Sequence, residues 1–162
     1  MEQNVVCKAV DYTGRTVVIT GAAQGAGAGI AKRFAEAGAQ VAITYHHNQD
    51  AAAAKVQEFR EMGVQAEAFH LDQRDVESIP GVISEIVRMF GSLDVLVNNA
   101  GIYPHQTNLD MTPAEWDDMQ SSNTRGVFFV CQAAAKVMKE QPQGGSIINI
   151  SSINATCPSD TL

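Results

Sequence analysis

The sequence is short of cations, of paired cysteines and of long apolar runs, and each shortage removes a class of function. Lys plus Arg number 11 against 18 Asp plus Glu, a formal net charge of −7. Such a surface repels phosphate backbones and anionic bilayers, so neither nucleic acid nor membrane is an expected partner. An anionic small molecule stays compatible, because backbone N–H groups at one helix end hold phosphates whatever the global charge. The cysteines, Cys7, Cys131 and Cys157, form no CxxC pair and have no histidine at ligand spacing. That pattern indicates neither a disulfide framework nor a zinc site, and no metal is expected. No stretch reaches the ~20 apolar residues of a membrane span, and the opening MEQNVVCKAVDYTG has no signal-peptide core. A cytoplasmic, reduced setting is the expectation.

What is present suits a packed fold. An apolar share of 45% and a charged share of 18% over 162 residues fit one globular domain, which typically takes ~100 to 200 residues. Apolar β-branched runs alternate with helical patterns. Thr16–Thr20 reads as a strand buried on both faces, and it runs into glycines. From Gly25 to Ala37 the pairs Ile30/Phe34 and Ala31/Ala35 share a helical face, with Gly38 as C-terminal cap. Val41–Tyr45 predicts a second strand, Ala51–Met62 a second helix, and Ala66–His70 a third strand. Ile79, Val82, Ile83, Ile86, Val87 and Phe90 mark a third helix, with Pro80 harmless in its first turn. Leu93–Val97 predicts a fourth strand that delivers Asn98-Asn99-Ala100-Gly101. Thr112-Pro113-Ala114-Glu115 has the form of a capping box, so a helix starts there. A separate helix follows over Val127, Val130, Cys131, Ala134 and Met138, then a fifth strand over Ser146–Ser151. Strands alternating with helices imply right-handed βαβ units, hence an α/β, Rossmann-type doubly wound parallel sheet in one domain. Residues 1–13 read as an N-terminal extension and 14–162 as the domain. Ligands of such sheets bind at the carboxyl ends of the strands, where strand order reverses.

The loop after the first strand is Thr20-Gly21-Ala22-Ala23-Gln24-Gly25-Ala26-Gly27. A diphosphate needs such small residues so that backbone can approach it: Gly21 for the turn off the strand, Gly25 for close approach, Gly27 for tight packing of helix on sheet. The bland alternative is a glycine-rich helix–sheet junction. The spacing is TGxxxGxG rather than the GxGxxG of the best-known dinucleotide fingerprint. With Leu71-Asp72 after the third strand, NNAG at 98–101, Asn123-Thr124-Arg125-Gly126 and Ile148-Asn149-Ile150-Ser151-Ser152, all in order, the sequence resembles the short-chain dehydrogenases/reductases from about Gly14 onward.

The resemblance implies an NAD(P)-dependent oxidoreductase that transfers a hydride between a nicotinamide cofactor and a carbonyl or alcohol substrate, such as a sugar, a polyol, a 3-oxoacyl thioester or a small ketone. It implies a homo-oligomer, dimer or tetramer. By the same resemblance Gly21, Ala23, Gln24, Gly25, Ala26 and Gly27 would hold the cofactor with Tyr45, His46, Asp72, Gln73, Asn99, Ala100, Gly101 and Ile150. Asp72 would accept from the adenine amino group; alternatively it is a helix cap or a turn residue. Asn99, Ala100 and Gly101 would lie against a ribose. Asn123 would support a water relay, or else start a helix. Ser152 would be the catalytic serine, bonding the substrate oxygen, or else an inert loop residue. Strand alternation sends Ser151 to the opposite face.

The family's general acid/base is a tyrosine followed four residues later by lysine. Here Tyr12, Tyr45 and Tyr103 are followed at that spacing by Thr16, Gln49 and Thr107. The expectation is a chain that stops before that motif and belongs to a longer, active reductase, its fifth strand left as an exposed edge. A cofactor-binding remnant or sensor without turnover is the alternative. An acid at the end of the second strand would bond the ribose of NAD and repel the extra phosphate of NADP. Thr44-Tyr45-His46-His47-Asn48 contains none, so NADP is favoured, with NAD as the alternative. His46 and His47 are either phosphate contacts or solvated loop residues.

Overall fold

The computed structural model describes residues 10–103, 109–152 and 155. The strands are β1 (Thr16–Ile19), β2 (Gln40–Tyr45), β3 (Ala66–His70), β4 (Val95–Asn98) and β5 (Ser146–Asn149). All pair in parallel, in the order β3-β2-β1-β4-β5. The helices are α1 (Gly25–Glu36), α2 (Gln49–Glu61), α3 (Ile79–Phe90), α4 (Pro113–Gln120) and α5 (Val127–Met138).

Strand period two divides the core into two layers. Val17 and Ile19 of β1, Val41 and Ile43 of β2, and Val95 and Val97 of β4 face α1 and α2, packing on Ala31, Ala35, Val56 and Phe59. The alternate residues Val18, Ala42 and Leu96 face the other way, onto Ile79, Ile83 and Ile86 of α3 and Val130, Ala134 and Met138 of α5. Helices therefore cover both faces, as the alternation of elements implies. Every residue of β1 and β4 is buried, whereas every residue of the edge strand β5 is exposed.

Besides shifts of one or two residues at the ends of β1, α1, β2 and α2, three differences from the sequence reading stand out. Leu93 and Asp94 precede β4 rather than belonging to it. The Gln141 side chain takes Leu93's backbone instead of a strand partner: its Oε1 accepts from Leu93 N–H at 2.8 Å and its Nε2 donates to Leu93 O at 3.0 Å. Strand β5 ends at Asn149; Ile150 N–H still donates to Asn98 O at 2.9 Å, but Ser151 and Ser152 lie beyond the strand, so strand alternation does not assign their directions. The two helices expected after Thr112 form one rod, joined by a π-helical segment, Ser121–Gly126. Its start is the expected capping box, with Thr112 Oγ1 accepting from Glu115 N–H and Glu115 Oε2 accepting from Thr112 N–H.

Leu96 sits at 0% exposure on an inner strand, opposite Val18 in register. Leu96→Ala is expected to cost ~2–5 kcal/mol in urea unfolding, the range for a cavity in a packed layer. A loss under ~1 kcal/mol would show that this layer is not packed as described.

Candidate functional site

Chain order reverses at β1, whose neighbours β2 and β4 are reached by crossovers on opposite faces of the sheet. A crevice opens there beyond the carboxyl ends of the strands. Side chains close the backbone around it. Thr20 Oγ1 accepts from Asn99 N–H and Ala100 N–H, each at 3.0 Å. Asn99 Nδ2 returns to Thr20 O at 3.0 Å and Gly21 O at 3.3 Å. On the β2 side, Ala22 N–H donates to Thr44 O at 3.1 Å and Gly21 N–H to Thr44 Oγ1 at 3.3 Å.

This junction leaves no room for side chains. A Cβ on Gly21, whose φ is +64°, would lie 2.9 Å from Ala100 Cα, and one on Gly27 would lie 2.9 Å from Gly21 O. Gly25 is different: its φ is +61°, yet nothing stands within 4 Å of its Cβ position. Its backbone opens outward at the first residue of α1, a helix with no acidic side chain in its first turn.

Ten of the expected cofactor residues line one cleft of about 350 Å³, at the lower end of the ~300–1,000 Å³ usual for ligand sites. They are Gly21, Ala23, Gln24, Tyr45, His46, Asp72, Gln73, Asn99, Ala100 and Gly101. Gly25 and Ala26 are exposed beside the cleft, and Gly27 is buried beneath it. Ile150 is 48% exposed past the end of β5, outside the cleft lining.

The electrostatics of the cleft centre on Asp72. Arg74 grips its carboxylate, with Nε at 2.9 Å from Oδ1 and Nη2 at 2.9 Å from Oδ2, while the Arg74 N–H donates to Oδ1 at 3.0 Å. These bonds hold the carboxyl at about 2, against a smaller opposing effect of burial. Arg74 Nη1 reaches Asp118 Oδ1 at 2.8 Å, tying α4 to the cleft wall. His46 Nε2 lies 3.3 Å from Asp72 Oδ2. Burial pushes this imidazole below its ordinary value, with the nearby Asp72 carboxylate opposing. Gln73 is 6% exposed, and its Nε2 is committed to Ala100 O at 3.2 Å and Ser122 O at 3.0 Å.

Asn123 does not start a helix; it lies inside the π-helical segment. Its Oδ1 accepts from Ile102 N–H at 2.9 Å and its Nδ2 donates to Ile102 O at 2.7 Å. This two-point clamp fixes the backbone just after NNAG. Ser152 is exposed and lies outside the cleft lining; its carbonyl accepts from Ala155 N–H at 3.1 Å. Residues 104–108, which follow NNAG, fall outside the described residues, although Ile102 and Tyr103 are placed and exposed. Sequence reasoning missed Thr20, Ser122 and Arg74 as site residues. Thr20 stood in the quoted glycine motif, and Arg74 stands two residues after Asp72; Ser122 carried no signal.

A doubly wound parallel sheet with a bare glycine turn at its switch point defines a Rossmann-type fold. Known proteins narrow the class: the profile of the short chain dehydrogenase family matches residues 15–162. The chain belongs to that family. It is 40% identical over 139 residues to 3-oxoacyl-[acyl-carrier-protein] reductase FabG of Staphylococcus aureus, covering 86% of this chain and 56% of the relative. It is 40% identical over 144 residues to L-rhamnose 1-dehydrogenase (NAD(P)(+)) of Azotobacter vinelandii, covering 87% and 56%. A short chain dehydrogenase from Burkholderia cenocepacia, solved in complex with NADP, superposes with a TM-score of 0.86 at 36% identity, covering 93% of this chain and 60% of that one. The chain thus spans little more than half the length of the curated relatives it matches.

Two outcomes test this geometry. Thr20→Val keeps the shape but leaves the Asn99 and Ala100 N–H groups without their acceptor, and is expected to cost ~1–3 kcal/mol in chemical unfolding; an unchanged midpoint would show the hydroxyl to be dispensable. Because the folded-state value of Asp72 is depressed from 3.8 to about 2, its contribution is complete above the unfolded value and lost as pH falls from about 4 towards 2. Asp72→Asn should flatten that part of the stability–pH curve, and an identical curve for both proteins would contradict the Arg74 pairing.

Proposed function

We propose that this chain forms the nucleotide-binding part of an NAD(P)-dependent oxidoreductase acting on a carbonyl or alcohol, with NADP favoured over NAD. The outward-facing backbone at Gly25, with nothing within 4 Å of its Cβ position, carries the reading. A helix N-terminus with its N–H groups bare and no acid in its first turn suits a diphosphate.

The residues fit such a cofactor. Gly21, Gly25, Ala26 and Gly27 would hold the diphosphate. Asn99, Ala100 and Gly101 would seat a ribose, and Asp72 with the Gln73 backbone would meet the adenine, since the Gln73 amide is already engaged. Ala23, Gln24, Tyr45 and His46 would face the outer ribose and its phosphate, and Ile150 the nicotinamide side. When bound, the nicotinamide gives or takes the hydride. Asn123 positions the wall of the site through Ile102, and the Ser152 hydroxyl would bond the substrate oxygen. The proton step is assigned to a Tyr-Lys pair that these 162 residues do not contain. The names of the relatives speak of a 3-oxoacyl-[acyl-carrier-protein] and of L-rhamnose, in keeping with a carbonyl or alcohol substrate. We take the working form to be a cytoplasmic homo-oligomer.

Nucleotide binding without turnover is the second reading. Absorbance at the nicotinamide band with a panel of ketones and polyols separates the two, since binding alone leaves it unchanged. For the site itself, Gly25→Val is expected to weaken NADP binding about tenfold or more, with some loss of stability from the left-handed backbone. Calorimetric affinity equal to that of the parent protein would remove Gly25 from the diphosphate site.

A further inference from the structure

The outer end of the cleft carries histidines where a second phosphate would need positive charge. His46, 31% exposed, lines the cleft with Gln24. The exposed His47 ring lies 3.6 Å from it, centroid to centroid, and His70 at the end of β3 lies 5.8 Å away. Arg74 is the one Arg or Lys lining the cleft among the described residues. Its guanidinium is already bonded to two carboxylates, Asp72 at 2.9 Å and Asp118 at 2.8 Å. A phosphate entering here meets no spare permanent cation. Any net positive charge has to come from an imidazole.

We propose that protonation of His46 supplies the charge that admits a 2′-phosphate, so that pH sets the protein's preference for NADP over NAD; this rests on the dinucleotide reading above. The groups facing His46 are the Asp72 carboxylate at 3.3 Å, which favours the cation, and His47, His70 and Arg74, which oppose it. Burial is the largest influence and holds the free imidazole below its ordinary value. A phosphate dianion raises that value when it binds. The gain in affinity is therefore complete below the free value and is lost as pH rises through the bound one, by up to about tenfold per pH unit in between. The 2′-phosphate takes up its own proton near pH ~6, which works in the opposite direction below that point.

Titration calorimetry of NADP and NAD, and of the nicotinamide-free pair 2′,5′-ADP and 5′-AMP, between about pH 6 and 8 at fixed ionic strength tests this. The ratio of NADP to NAD affinity should fall by about three- to tenfold across that range in the parent protein. In His46→Gln, circular dichroism should be unchanged, the ratio should be low already at the acid end, and the fall should vanish. A flat ratio in the parent, or an undiminished fall in His46→Gln, overturns the proposal. A fall abolished by His47→Gln and not by His46→Gln overturns it too. Failure to bind any of the four nucleotides rejects the dinucleotide reading itself, and this inference with it.

Discussion

The site depends on how the chain leaves β1. A strand that turns away from a sheet frees backbone groups that are costly to bury unmet. At this junction the Thr20 hydroxyl accepts two of them from Asn99 and Ala100, and the Asn99 amide answers two carbonyls. The loops after β1 and β4 thus satisfy each other across the switch point. Neither needs to fold into the crevice for partners, so the crevice stays open and the first turn of α1 keeps its N–H groups for a ligand. The same stitching explains the glycines: with Ala100 drawn against Gly21, even a Cβ would overlap it.

A second network, of charges, shapes the outer wall. Asp118 on α4, Arg74 and Asp72 after β3, and His46 after β2 form a chain in which each group touches the next. It ties three segments together and nearly neutralises itself. An overall charge of −7 is thus no obstacle to an anionic ligand. On the proposed reading, attraction would come from backbone dipoles at α1 and from whatever charge His46 carries, both acting within a few ångströms, while distant surface charges are screened.

Much of this was legible because it was local. The continuous β-branched run Thr16–Ile19 and the three-and-four spacing from Ile79 to Phe90 set β1 and α3, and Thr112 with Glu115 announced α4. The glycine turn was legible because a backbone conformation and a close approach restrict the residue type at single positions. What escaped was non-local or without a pattern. Leu93 has the composition of a strand residue, but its backbone is taken by Gln141, 48 residues on. The segment Ser121–Gly126 carries no hydrophobic period to mark a π-helical turn. Arg74 became a wall residue through Asp118, 44 positions away. Asn123 was expected at the site on resemblance, but its clamp on Ile102 follows from the fold alone.

On the proposed reading, binding and turnover would draw on parts of the molecule with different support. The walls of the nucleotide cleft come from the ends of β1 to β4 and from Ser122, and the inner strands β1 and β4 are buried throughout. Ser152 hangs instead from β5, an edge strand exposed along its whole length, with Ile147 and Ile148 at 37% and 43% exposure. Among the described residues no strand pairs with its outer side. Asn98 tethers it through Asn149, Nδ2 to Oδ1 at 2.8 Å, and through the Ile150 N–H, and Ser152 lies two residues further on. On the proposed reading, seating a nucleotide uses the buried inner strands while the Ser152 hydroxyl follows β5, so the two properties should respond differently to changes along β5.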